Sequence, residues 1–449
     1  MIESLIIVIF STILFTPTLF QLLREINQLF ILAVSFLLGI ASWTYFLFLA
    51  NLAGLSFTLV NVLIIYFSIL ILSYLLSRLI KVEDTKKDKL SFTTISKFIA
   101  TNRIALAVLL VLIFSSLVIN FYWPVKDWDS LVLYDFRAKL FATHGGMNEA
   151  IKQGYFISYP LMTSLSHTLI YLINPASSPM LLYFAFYLAL LIIFYSILRE
   201  FKVGEKISLI ATLALAGYGI IFEQSAMSYS NLPYTAYFFS GYIFALLWYK
   251  NERILYLITS ALFIGLSGWI RFAEPFWIVI VMVVYLMILF KKKYRYMPLY
   301  ILLIYAIRYP WSTFVKNISG VTLSVSQNLS ESLLLFSGQA SVQGIISVFK
   351  YLYVNIFTEY AVALFIFAFL FYYTFLYLKK NMEKTFIFDM AVISGTIIMI
   401  ILGTFLFSLY QTSWENIGDS ARRMSMILVP FVIFSSARLF NSINSNSKI

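Results

Sequence analysis

Cysteine is absent from the 449 residues, which excludes disulfides and thiolate metal sites and says little about compartment. Histidine occurs only twice, as His144 and His167, and all charged residues together make up 12% of the chain. Short alternating strands are missing, which sets aside a β-barrel. So is a basic leader with a small-residue cleavage site; the N-terminus reads Met1-Ile2-Glu3-Ser4, and the first apolar segment is expected to stay as a span. No linker, fixed-period repeat or low-complexity tract divides the sequence.

What remains is hydrocarbon. Hydrophobic residues make up 61% of the chain and the mean hydropathy is +0.89. A soluble core could not absorb that much apolar surface, and the apolar runs reach about 20 residues, the length that crosses a bilayer as helix. The expected fold is therefore an all-α polytopic membrane protein. Apolar segments fall near 4–22, 28–50, 56–77, 104–122, 180–198, 207–222, 232–249, 254–270, 275–290, 297–310, 355–378, 385–409 and 424–440, which predicts about thirteen spans.

The net charge of +12 suggests nucleic acid at first sight, but most basic residues behave as cytoplasmic anchors and no nucleic-acid partner is expected. Arg78 to Lys97, Arg199 to Lys206, Lys291 to Arg295 and Lys379 to Lys384 mark four basic loops. They share one side only if the apolar segment 158–173 does not cross. That segment is thus expected to be a helix lying in or dipping into the outer leaflet, with Pro160 at its start. The N-terminus is then outside and the C-terminus cytoplasmic. Residues 1–100 read as N-terminal helices with a basic loop, and 101–449 as a core with outer loops at 123–175 and 311–350.

In a chain this poor in charge, the stretch Trp123 to Lys139 stands out, because Asp127, Asp129 and Asp135 fall within nine positions and Arg137 and Lys139 come directly after. Asp127 or Asp129 could deprotonate an acceptor hydroxyl as general base, although a solvated turn with belt tryptophans at Trp123 and Trp128 accounts for the pair equally well. Residues 130–143 can form an amphipathic surface helix with an apolar stripe of Leu133, Phe136 and Leu140 and an Asp135–Lys139 pair. Arg137 and Lys139 could hold a lipid phosphate or simply snorkel to the headgroups. Ser164, His167 and Tyr171 form a polar stripe that must face protein or water. The two histidines with Asp127 or Asp129 could bind a divalent metal, though the spacing fits no standard motif.

Further along, Arg271 and Glu274 interrupt an apolar hairpin and read either as a structural ion pair or as site residues, with Glu223 a weaker candidate on the same face. Asp419 precedes Arg422 and Arg423, two guanidiniums that enter an apolar helix from the outer side and could clamp a phosphate. The segment 311–350 reads as a cover over an outer cavity.

Taken together, Asp127-Trp128-Asp129-Ser130-Leu131, Tyr134 to Lys139, Ser158-Tyr159-Pro160-Leu161, Arg271 to Pro275 and Ser420 to Arg423 resemble the type C (GT-C) membrane glycosyltransferases, in particular the group of dolichyl-phosphate-mannose protein mannosyltransferases and aminoarabinose transferases. The resemblance spans roughly residues 100–440. It implies an inverting transfer from a polyprenyl-phosphate-linked sugar donor to a glycan, lipid or protein acceptor at the extracytoplasmic face. It also implies Asp129 as base, with Asp127 the alternate, and lipid-phosphate contacts at Arg137, Lys139, Arg271 or Arg423. Asp135, His144, Tyr159, His167, Glu223, Glu274 and Asp419 are the expected cavity residues. Tyr159-Pro160-Leu161 carries one proline where many relatives carry two, and the acidic loop comes after about four spans rather than one, which leaves donor and acceptor open. A lipid-linked saccharide flippase or transporter is the alternative function, and a non-enzymatic assembly partner a third.

Overall fold

The computed structural model describes residues 1–23, 26–79, 92–154, 159–271, 274–317, 342–354, 385–408 and 420–446, and these residues form helices and turns with no strand among them. Four long helices open the chain: α1 (Ile2–Leu22), α2 (Gln28–Leu52), α3 (Leu59–Leu79) and α4 (Phe92–Tyr122). Asn27 caps α2 by accepting the Leu29 N–H at 2.9 Å. α1 and α2 touch backbone to backbone: a Cβ placed on Gly39 would sit 1.8 Å from the Ser11 carbonyl oxygen. Small residues permit such an approach where lipid supplies no hydrophobic drive between helices.

α2 is buried along most of its length. Tyr45 donates to the Ile307 carbonyl at 2.9 Å, Trp269 donates to Thr44 at 3.2 Å, and Tyr237 donates to the Leu37 carbonyl. Polar groups that lipid cannot satisfy thereby lock α2 to three later helices.

After a connection that holds α5 (Phe136–His144), α6 (Asn148–Lys152) and α7 (Met162–Ile173) come α8 (Leu181–Glu200), α9 (Glu205–Ala216), α10 (Gly219–Gln224), α11 (Asn231–Asn251), α12 (Ile254–Ile270), α13 (Glu274–Phe290) and α14 (Tyr296–Asn317). α15 (Val342–Leu352), α16 (Thr385–Ser408), α17 (Ser420–Ser425) and α18 (Leu428–Asn446) complete the described chain. α11 is the axis, with every residue from Asn231 to Trp248 buried. Surrounded by protein, it needs no hydrocarbon surface and can carry Asn231, Thr235, Ser240 and three tyrosines, Tyr234, Tyr237 and Tyr242.

Part of the expected set of spans appears among the described residues. Seven described helices are long and apolar enough to cross a membrane: Ile2–Leu22, Gln28–Leu52, Leu59–Leu79, Ala100–Tyr122, Leu181–Glu200, Thr385–Phe405 and Arg422–Ser442. Met162–Ile173, Ile254–Ile270 and Phe276–Phe290 are apolar but shorter. The expected span 207–222 is broken at Gly217 into α9 and α10, and 355–378 lies outside the described residues. The first part of the segment 311–350 continues α14 to Asn317, and 318–341 lies outside the description.

The described basic loops gather at one end. Lys250 pairs with Glu200 at 3.3 Å, Lys291 and Lys293 pair with Glu252 at 2.7 and 3.1 Å, and Asn441 accepts the Gly204 N–H at 2.8 Å. Near that end a buried cluster joins three helices. Arg438 Nη1 donates to Asp389 Oδ2 at 2.6 Å and Nη2 to Thr385 at 2.6 Å, while Tyr242 donates to the same carboxylate. The Arg438 guanidinium also lies over the rings of Phe201, Phe386 and Phe434 at 4.6, 4.8 and 5.2 Å. Removing one partner of a buried pair strands the other charge, at about 3–5 kcal/mol. Asp389→Asn and Arg438→Gln are each expected to lower the thermal midpoint of the detergent-solubilised protein sharply, and the apolar double variant Asp389→Leu/Arg438→Met to recover part of the loss; differential scanning fluorimetry of the three variants checks this.

Candidate functional site

α4 delivers the acidic stretch to the end of the bundle opposite the basic loops. Its last turns are fixed by polar contacts: Asn120 donates to the Ser225 carbonyl at 2.8 Å, and the hydroxyls of Ser116 and Ser225 meet at 2.8 Å. The chain leaves α4 at Trp123-Pro124 and re-enters helix at Trp128. The first turns, Ser130–Asp135, are π-helical and run into α5 (Phe136–His144). A wider turn of this kind, frequent at functional sites, shifts the helical register of the residues C-terminal to it.

The site assembles beside this turn. Asp129 Oδ2 accepts from Arg423 Nη1 at 2.6 Å, bringing together residues 294 positions apart. The Arg423 guanidinium also lies over the Tyr229 ring, 5.2 Å from its centroid. Arg422 Nη2 pairs with Glu223 Oε2 at 3.1 Å. Arg271, at the end of α12, donates to Ser230 at 3.3 Å, and the Ser230 and Tyr134 hydroxyls meet at 2.9 Å. Asp129 and Glu223 stay open to solvent, at 32% and 37% side-chain exposure, so a ligand can reach them.

Electrostatics tie three more groups to the cluster. Burial raises the Tyr159 phenol, and Tyr134, Arg271, Asp129 and Arg423 are the charged or ionisable groups it senses. Burial, with Asp129 adding to it, pushes Tyr229 up to about 12. Burial also raises Asp127, against the opposing charge of Lys126, which moves that carboxyl toward the range of a useful general base. Asp127, Asp129, Tyr159, Glu223, Arg271, Arg422 and Arg423, all expected from the sequence as site residues, converge here. Tyr134, quoted from the sequence only as part of the motif Tyr134 to Lys139, joins them from the π-helical turn, and Tyr229 and Ser230 join from the short loop before α11 without having been singled out, having no charge to draw notice.

Arg137 and Lys139, expected to meet a lipid phosphate, are engaged within the protein. Arg137 is fully buried; Nε donates to Ser164 at 2.8 Å, Nη1 to the Tyr159 carbonyl at 3.0 Å and Nη2 to the Pro160 carbonyl at 3.2 Å. It pins the Tyr159-Pro160-Leu161 turn rather than facing outward, because the buried face of this helix is the one that carries Tyr134, Arg137, Ala138 and Phe141, not the one that carries Phe136. Lys139 pairs with Asp135 at 2.8 Å, the expected i, i+4 contact. Phe136 of the apolar stripe is exposed, with Leu133 and Leu140 half-buried.

Asp135 and His167, expected to line a cavity, are buried instead. Asp135 accepts from Tyr171 and Lys139, and His167 Nδ1 lies 3.5 Å from it while Nε2 meets the Tyr183 hydroxyl at 2.8 Å. The helix that carries His167, α7 (Met162–Ile173), has twelve residues and is enclosed by protein from Met162 to Tyr171, so its polar stripe faces protein. It packs on α5 and α2 rather than lying against lipid. His144 is exposed at the far end of α5, about 13 Å of helical rise from Asp135. The histidines therefore do not converge. Among the described residues no three of His, Asp and Glu gather into a set that could hold a metal ion. Glu274 opens α13, but its side chain and all of Asp419 lie outside the described residues.

No protein-family model matches this chain, and no curated protein and no solved structure is detectably similar to it. The functional reading thus stands on the geometry and the short motifs alone.

Asp135 yields a pH prediction. Burial works against its charge, but the hydrogen bonds from His167, Lys139 and Tyr171 outweigh that and hold the carboxyl at about 2. A depressed carboxyl contributes stability above its unfolded value near 4 and loses it as pH falls toward 2. Thermal midpoints recorded from pH 6 to pH 2 should fall in the lower half of that range for the wild type, by about 2 kcal/mol of linked stability, and Asp135→Asn should be less stable at pH 6 with a flatter profile.

Proposed function

We propose that the protein is a membrane glycosyltransferase that uses a polyprenyl-phosphate-linked sugar at the extracytoplasmic face. The observation that carries the reading is the contact between Asp129 and Arg423, with Arg271, Arg422, Asp127 and Tyr159 around it. A base and several fixed cations in one open cluster are the parts needed to activate a hydroxyl and to receive a leaving phosphate. The short motifs that resemble GT-C enzymes contribute the residues of this cluster.

Those parts define the step. Asp129, with Asp127 the alternate, takes the proton of an acceptor hydroxyl. The hydroxyl oxygen forms a bond to the anomeric carbon, the bond from that carbon to the donor phosphate oxygen breaks with its electron pair leaving on the phosphate, and the configuration inverts. Arg423, Arg422 and Arg271 hold the charge that develops on the lipid phosphate. No metal is required, because a phosphate whose charge is held is a competent leaving group.

Two features favour a lipid-linked donor. The cluster lies at the end of the bundle away from the basic loops, where positive-inside anchoring puts the extracytoplasmic side. The exposed face of α4 that carries Phe114, Leu117, Val118, Phe121 and Tyr122 is apolar, ends just before Trp123 and Asp127, and is a surface along which a polyprenyl chain could lie. A transporter would instead gather its polar groups near the midplane between paired repeats.

Two outcomes are expected. Organic extraction of the purified protein followed by mass spectrometry should yield a polyprenyl-phosphate sugar. With that lipid as donor, Asp129→Asn and Arg423→Gln should each lower transfer by about a hundredfold or more while leaving the elution profile monodisperse. Full transfer by Asp129→Asn would remove it as base, and lipid flipping without transfer in proteoliposomes would favour a transporter.

A further inference from the structure

Arg422 and Arg423 are neighbours in one helical turn, yet each meets a carboxylate from a different part of the chain: Arg423 pairs with Asp129 at 2.6 Å and Arg422 with Glu223 at 3.1 Å. The four side chains are between 17% and 37% exposed, so both pairs are within reach of solvent and ligand. Ion pairs of this exposure are weak. A phosphate ester, whose non-bridging oxygens share its negative charge in a geometry suited to guanidinium forks, can bridge two adjacent arginines at once, which a single carboxylate on each does not. The ring of Tyr229 lies 5.2 Å from the Arg423 guanidinium and would hold it in place when its carboxylate leaves. In the pairing seen here the Asp129 carboxylate is occupied by the Arg423 guanidinium.

We infer that Asp129 and Glu223 are placeholders in a phosphate-ester site, displaced from Arg423 and Arg422 when the ligand phosphate arrives. This rests on the transferase reading and adds order to it. The donor binds first; its phosphate takes over the arginines, and only then is Asp129 released to act on an acceptor hydroxyl. No bond is made or broken in the exchange, and the arginines keep a negative partner throughout. Before the donor arrives the base is shut off, which protects against reaction with the wrong partner.

The exchange predicts an unusual sign. Removing a ligand-binding carboxylate normally weakens or does not affect binding, whereas removing a placeholder tightens it. Farnesyl phosphate and inorganic phosphate serve as probes for the full-length protein in detergent, read by isothermal titration calorimetry. Asp129→Asn should bind about three- to tenfold more tightly than wild type, and Arg423→Gln at least tenfold more weakly. Asp129→Ser is the second neutral variant and should tighten likewise. Tightening for farnesyl phosphate alone assigns the site to a lipid ester, and tightening for both probes to the phosphoryl group itself; either supports the exchange. Affinities at or below wild type in both neutral variants overturn it. An infrared difference spectrum of the unaltered protein needs no variant: adding farnesyl phosphate should shift a carboxylate band, and an unchanged band contradicts the exchange. Neither readout uses sugar transfer, so the exchange can fail with the transferase reading intact, and the reverse.

Discussion

Every ionic group in this protein has to be reconciled with a chain that is mostly hydrocarbon, and the contact between Asp129 and Arg423 is where that constraint becomes useful. A guanidinium left alone at a membrane boundary keeps its charge and must snorkel to water, and a lone carboxylate is costly there as well. Held against each other at the open end of the bundle, the two are paired and accessible. The surrounding architecture serves this meeting. α4 is tied through Asn120 and Ser116 to Ser225, the loop before α11 supplies Tyr229 and Ser230, and α12 ends on Arg271. The buried axis α11 thus begins directly beneath the cluster and fixes the distance between its two sides.

Charges elsewhere are used differently. Asp135, Lys139 and His167 form one network, Arg137 with the Tyr159 and Pro160 carbonyls another, and Asp389 with Arg438 a third. Apart from the half-exposed Lys139, these side chains are buried and hydrogen-bonded on several sides, so they stabilise specific packing and offer no opening for a ligand. The contrast in exposure, more than the identity of the residues, separates the candidate site from the scaffold. Arg137 links the two classes, because the turn it pins carries Tyr159 into the cluster.

Much of this was legible in the sequence, and the rest was hidden for definable reasons. Apolar runs located most helices, and the scarcity of charge drew attention to Asp127, Asp129, Arg271, Arg422 and Arg423, which do converge. Seven of the apolar runs appear among the described residues as helices of spanning length, while the run 207–222 is divided at Gly217 into two shorter helices. The inward turn of Arg137 was hidden because the apolar stripe Leu133, Phe136 and Leu140 suggested the wrong buried face, whereas the face that packs is Tyr134, Arg137, Ala138 and Phe141. The polar stripe of α7 was correctly read as needing partners, but its location inside protein comes from α2 and α5 closing over it. Arg438 sits among other polar residues near the chain's end, and only the fold reveals Asp389, 49 positions away, as its partner.

An acid early in the chain and an arginine near its end meet in one open cluster, and this is the claim to test. Because the protein contains no cysteine, Asp129→Cys/Arg423→Cys introduces the only two thiols. Treating this variant with a homobifunctional thiol reagent about as long as an arginine side chain, then digesting it and analysing the peptides by mass spectrometry, measures the claim directly. The structure predicts a cross-linked peptide joining the segments that contain positions 129 and 423. Efficient labelling of both thiols without any cross-link would contradict it.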